Sequence, residues 1–304
     1  MHIPAHMLHG QICPVTAAVS ALGIASAAIM VIRSKEKPSA SRFGAVAAFI
    51  FAAQMMNFPI QNGTSGHLLG GVLASALLGV PFGVLATALV LLVQCLVFSD
   101  GGVSALGANI FNMALIGAGV GGFLFKQFAG ASEKNSVFRL SSLGVAGWLS
   151  VILAALACSI ELGISGTVPF ARVAGAMLSV HALIGMGEGL ITVAVYRFLS
   201  AESLSTSPKW NVGAPLLAAG IIGTLLSSFA SGFPDGLEWV AEKYRFLHEA
   251  APTFVSPLSG YAVPALPDGM LSTGLAGLAG VLLVFALGWL LAKSLTCMKL
   301  KTAR

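Results

Sequence analysis

The stretch Pro81-Phe82-Gly83-Val84-Leu85-Ala86-Thr87-Ala88-Leu89-Val90-Leu91-Leu92-Val93-Gln94-Cys95-Leu96-Val97-Phe98 carries no charged side chain. As a helix it is long enough to cross a bilayer core of roughly 30 Å. Water is absent there, so backbone groups must pair within the segment, and a helix is the default. Apolar runs of spanning or near-spanning length recur on both sides, at about 11–32, 43–57, 67–79, 106–126, 139–161, 169–199, 212–230 and 271–293. The chain therefore reads as an all-α integral membrane protein, a polytopic bundle of about nine transmembrane or half-membrane helices. Composition agrees. Hydrophobic residues make up 57% and charged residues 9%, against roughly 25% charged in soluble proteins. The 36 glycines favour closely packed helices in lipid. The run 67–79 is short, follows a glycine-rich loop and ends at Gly79-Val80-Pro81, as a re-entrant or half-buried helix would. The run 169–199 is long, which implies tilt or a bend near Gly185, Gly187 and Gly189.

Orientation follows from the basic residues. With the N-terminus outside, all of the 16 basic residues except Arg172, Lys243 and Arg245 fall on the inner side. Asp100, Glu161, Asp235, Glu238, Glu242, Glu249 and Asp268 fall outside, giving that face a mildly negative field. The formal charge of +5 is no sign of nucleic-acid binding, because the basic residues lie in short loops between apolar runs. The largest polar stretch, 231–270, is an extracytoplasmic loop on this topology, and 200–211 is the clearest boundary between modules. Cys13, Cys95, Cys158 and Cys297 lie within or beside apolar runs and form no CxxC pair, which reads as small apolar filler. The first eleven residues lack the pattern of a cleavable signal peptide, and the bulky second residue is expected to protect Met1 from removal.

That matters because the chain starts Met1-His2-Ile3-Pro4. The α-amine, the amide nitrogen of residue 2 and the His2 imidazole are three nitrogens on one short segment. Pro4 has no amide proton, so the chelate stops there. The loop Asn57-Phe58-Pro59-Ile60-Gln61-Asn62-Gly63-Thr64-Ser65-Gly66-His67 offers a fourth nitrogen in His67, which is expected to open a helix. Four nitrogens in a plane suit Ni(II) or Cu(II), and extend to Co(II). The competing reading is a histidine that caps a helix or is satisfied by loop carbonyls.

Other polar residues are candidates for a path or for support. His181 and Glu188 share one face of a long apolar run, where ionisable groups are functional candidates by default. Glu188, among three glycines, also fits a structural lock. Without an HExxH pattern or a third ligand at recognisable spacing, an intramembrane metalloenzyme using this pair is the weaker alternative. Asp100, with Asn109 and Asn112, lies at an outer loop and helix start, as an acceptor behind a ligand histidine or a turn residue. His6 and His9 either gather metal near the mouth or are bystanders. No Walker A motif and no dinucleotide fingerprint is present.

Met1 to Pro4, Asn57-Phe58-Pro59 through Gly63 to Gly71, Asp100-Gly101-Gly102 through Ala105 to Met113, and His181 through Thr192 together resemble the CbiM/NikM family. These are substrate-specific components of energy-coupling factor transporters for cobalt and nickel. The resemblance covers residues 1–200. The tail 212–304 resembles the PDGLE module, whose motif stands here as Pro234 to Glu238, as in fused NikMN-type proteins. The family usually continues its start with an acidic residue or similar and then glycine, where this chain has Ala5-His6-Met7-Leu8-His9-Gly10. The resemblance implies a metal held by Met1, His2 and His67. It also implies a separate transmembrane coupling subunit and cytoplasmic ATPase subunits in a bacterial-type inner membrane. The expected activity is Ni2+ import without enzymatic chemistry or a prosthetic group. The alternative cargo is Co2+ for cobalamin synthesis.

Overall fold

The structure, a computed structural model, describes residues 1–61, 63–132, 136–202, 212–247, 254 and 256–298. Asn62 in the glycine-rich loop, most of the 200–211 boundary, Lys134, Glu249 and the basic residues Lys299, Lys301 and Arg304 lie outside the described residues. The helices are α1 (Ile12–Arg33), α2 (Ala40–Gln54), α3 (Gly71–Leu78), α4 (Val80–Phe98), α5 (Leu106–Ala129), α6 (Val137–Ile164), α7 (Phe170–Glu202), α8 (Gly213–Thr224), α9 (Gly236–Lys243) and α10 (Met270–Cys297). Helix α5 is wound as a π-helix between Ile110 and Val120. A two-stranded antiparallel hairpin, β1 (Phe58–Pro59) and β2 (Ser65–Gly66), precedes α3.

Among the described residues six helices are long and apolar enough to cross a membrane, namely α1, α4, α5, α6, α7 and α10. Helices α2 and α8 are shorter and apolar, and α3 has only 8 residues, so the expected count of nine is approximate. Helix α7 runs unbroken from Phe170 to Glu202. Its glycines serve packing: a Cβ at Gly189 would sit 2.7 Å from the Gly144 carbonyl oxygen of α6. The same device docks the C-terminal helix. A Cβ at Gly44 of α2 would meet the Phe285 carbonyl oxygen of α10 at 2.7 Å. Small residues let helix backbones approach where lipid offers no hydrophobic drive.

Helix α3 spans about 12 Å, roughly half a bilayer core, so its ends need partners inside the protein. Glu188 of α7 supplies one set. Its two carboxylate oxygens accept the N–H groups of Leu69 (2.6 Å) and Gly70 (2.9 Å). Gly70 takes a left-handed conformation, φ 72°, to start the helix. At the other end the Arg42 guanidinium donates to the Leu77 carbonyl. A carboxylate at the start and a guanidinium at the end both oppose the helix dipole. The helix thus opens at Gly71, not at His67. His67 lies in the irregular segment between β2 and α3, which Glu188 and Gln54 hold in place, the latter through Nε2 to the Leu69 carbonyl (2.7 Å).

Candidate functional site

The chain's first residues lie on the bundle with Met1, His2 and Ile3 buried. Asn109 explains this. Its Oδ1 accepts the Ile3 N–H (2.8 Å), and its Nδ2 donates to the Ile3 carbonyl (3.2 Å). The Gly102 N–H donates to the same carbonyl (2.9 Å). Gly102 passes so close to Ala5 that a Cβ there would overlap the Ala5 backbone. One asparagine and one glycine thereby pin residue 3 and aim residues 1 and 2 inward.

The Met1 amine sits 2.6 Å from His67 Nε2. As an ammonium it is the donor, so Nε2 is the accepting nitrogen. The ring proton then lies on Nδ1, which donates to the Leu68 carbonyl (3.1 Å). This tautomer turns the lone pair of His67 towards the chain's start. The His2 and His67 rings stack with centroids 5.2 Å apart. His2 Nε2 lies 3.2 Å from Gln94 Oε1, and His2 Nδ1 lies 3.2 Å from Asp100 Oδ1. Burial, then the Met1 ammonium and His2, push the His67 pKa down to about 3. Burial also lowers His2 against the opposing pull of Asp100. Both imidazoles are therefore held towards the neutral, ligating form.

Two side chains from the C-terminal part reach this cluster. Asp235 accepts the Met1 ammonium through Oδ2 (2.6 Å). Its Oδ1 accepts the N–H groups of Leu237 (2.8 Å) and Glu238 (2.9 Å), while Glu238 Oε2 accepts the Asp235 N–H (3.0 Å), a complete capping box for α9. Burial opposes the Asp235 charge, but the Met1 ammonium, His67 and the hydrogen bonds the carboxylate accepts together hold it below its ordinary pKa. Tyr261 Oη donates to Asp100 Oδ2 (2.6 Å), and burial followed by Asp100 raises its pKa, keeping it a donor. The loop that carries Asp235 is fastened to the hairpin: the Ser65 N–H donates to the Pro234 carbonyl and the Ser231 N–H to the Asn57 carbonyl, both at 2.8 Å.

The structure thus brings Met1, His2, His67, Asp100 and Asn109 together. Asn112 instead donates to Glu161 Oε2 (2.7 Å). Glu188 meets the loop behind His67, its two oxygens accepting backbone N–H groups, and no hydrogen bond to His181 is present among the described residues. His181 Nδ1 is bonded to the Met177 carbonyl (2.8 Å), and among the described residues its buried Nε2 has no hydrogen-bond partner. His9 is exposed and His6 half-buried. Sequence reasoning missed Gln94, Asp235 and Tyr261. Gln94 had a signal, a polar amide inside a charge-free span, and Asp235 had one in the Asp-Gly-Leu-Glu capping pattern. Among the described residues no three His, Cys, Asp or Glu side chains cluster as metal ligands. The remaining nitrogen donors here belong to the backbone.

Residues 2–210 match the CbiM family, described as the cobalt uptake substrate-specific transmembrane region, and residues 209–296 match the PDGLE domain. A protein of Archaeoglobus fulgidus named as a fused nickel transport protein, NikMN, is 36% identical over 281 residues, covering 90% of this chain and 92% of its own. The fused nickel transport protein NikMN of Rhodobacter capsulatus is 30% identical over 299 residues, covering 88% and 84%. A crystal structure titled as a transition metal transporter aligns with TM-score 0.60 and 30% identity over 68% of this chain and 95% of that one.

Proposed function

Because this chain belongs to the CbiM family of membrane transport components and carries a PDGLE domain, we propose that it captures Ni2+ from outside the cell as the substrate-specific component of an energy-coupling factor importer. The observation that carries this reading is the Met1 amine 2.6 Å from His67 Nε2, with the His2 ring stacked beside it. Met1 N, the His2 amide nitrogen, the His2 imidazole and His67 Nε2 are the four donors. On binding, the amine and the His2 amide would each lose a proton to solvent as the nitrogen takes up the ion. His2 turns Nδ1 from Asp100 to the ion and keeps Gln94 on Nε2. Nickel is preferred because four nitrogens in a plane suit Ni(II) and because the fused relatives are named for nickel. The family description supports Co2+ as the second reading.

The chain would sit in a bacterial-type cytoplasmic membrane with its N-terminus outside. A transmembrane coupling subunit and cytoplasmic ATPases would supply the energy. Purified protein with a native N-terminus is expected to bind Ni2+ stoichiometrically, with Ni2+ outcompeting Co2+. His2→Ala and His67→Ala are each expected to lose it. A residue or tag placed before Met1 should abolish uptake. Binding that survives both histidine substitutions would overturn the site, and Co2+ preference would change the cargo.

A further inference from the structure

Within the reading that Met1, His2 and His67 hold the ion, we propose that Asp235 of the C-terminal module is a fifth, oxygen donor to it. Two donors about 2.1 Å from one ion and at right angles lie about 3 Å apart. His67 Nε2 and Asp235 Oδ2 are each 2.6 Å from the Met1 nitrogen, so small movements bring all three around one ion. Met1, His67 and Asp235 line one small cavity of about 10 Å³ together with Gly66, Leu69, His181, Ile184 and Gly236. Space of that order holds about one water-sized particle.

The division of labour on Asp235 fits a ligand. Oδ1 is committed to the start of α9, which fixes the carboxylate, while among the described residues Oδ2 bonds only to the amine. Charge fits as well. The metal-free pair is one ammonium and one carboxylate. A divalent ion bound through a neutral amine and one amidate carries a single net positive charge. Asp235 neutralises that charge as it neutralised the ammonium, so capture leaves no uncompensated charge in a buried site.

Full-length protein with a native N-terminus, loaded with Ni2+, decides the matter through its magnetism and visible spectrum. Planar four-nitrogen Ni(II) is diamagnetic, and an added axial oxygen makes it paramagnetic. The wild-type complex is expected to show paramagnetically shifted proton resonances. Asp235→Asn keeps the helix cap and is expected to give a diamagnetic complex with affinity lower by about tenfold or more. A diamagnetic wild-type complex, or identical spectra for the two proteins, would overturn the proposal. If Asp235→Asn folds but binds nothing, Asp235→Glu must restore the paramagnetic complex, and failure to do so counts against the ligand role. His67→Ala tests the underlying reading separately. Stoichiometric Ni2+ in that variant, with a spectrum that still depends on Asp235, would remove His67 from the site and keep Asp235 in it.

Discussion

The Met1 amine is at once the nearest neighbour of a histidine nitrogen and of a carboxylate, both at 2.6 Å. As an ammonium it cannot ligate, so if the amine and the His2 amide are ligands, capture has to remove a proton from each. His67 contributes none, because its pKa of about 3 leaves it neutral at any working pH. Calorimetry in buffers of different ionisation enthalpy should therefore count about two protons released per Ni2+, and affinity should rise with pH. Release of one proton would remove the amide from the ligand set. The depressed His67 value has its own sign. The unfolded chain binds a proton near pH 6.5 that the folded one refuses, so stability from this group is full above that pH and is lost as pH falls towards 3. The approach of the Met-His start to His67 was legible in the sequence because both stretches stand out, one at the chain's start and one in a glycine-rich loop. Asp235 was not, since its partner lies 234 positions away and its own motif is already explained by a helix cap.

At the scale of elements the site depends on a helix too short to stand alone. Helix α3 starts inside the bundle because Glu188 takes the Leu69 and Gly70 N–H groups, and Leu69 follows His67 by two residues. Glu188→Ala would orphan two buried donors, at about 1–3 kcal/mol each. It should lower the melting temperature and loosen His67, weakening Ni2+ binding without touching a ligand. Glu188→Gln keeps one acceptor oxygen and should lie between the two in both measurements. Wild-type affinity in Glu188→Ala would separate α3 from the site. The half-helix itself was legible, as an apolar run too short for a span and bounded by glycines. Its register was not. The start at Gly71 is set by a carboxylate on α7, far away in sequence, and periodicity inside 67–79 carries no trace of it. The glycines of α7 likewise pointed to a tilt or a bend from sequence alone, whereas the helix is unbroken and packs Gly185 and Gly189 against α6 and Gly187 against Phe58.

For the whole molecule, the question is whether the C-terminal part is an appendage or a wall of the site. Helix α10 lies on α2 through small residues, the loop before α9 is hydrogen-bonded to the hairpin, and Asp235 and Tyr261 touch the cluster directly. Gly236 marks where this module meets α7: a Cβ there would stand 2.7 Å from Ile184 Cδ1 and 2.9 Å from His181 Cε1. Gly236→Val should therefore lift the loop from α7 while leaving every proposed ligand chemically intact. Overpacking of this kind typically costs about 1–3 kcal/mol. If docking and capture are coupled, that cost appears as an affinity about 5- to 150-fold weaker. Gly236→Ala, with one methyl group, should fall between wild type and valine. The packing of α10 on α2 is remote from this contact, so the main unfolding transition should move little. Removal of residues 212–304 should produce a deficit in Ni2+ affinity and uptake rate at least as large as the valine's. Unchanged affinity in Gly236→Val, with an uptake deficit confined to the deletion, would place the module's role outside ion binding and make its two buried contacts with the cluster incidental.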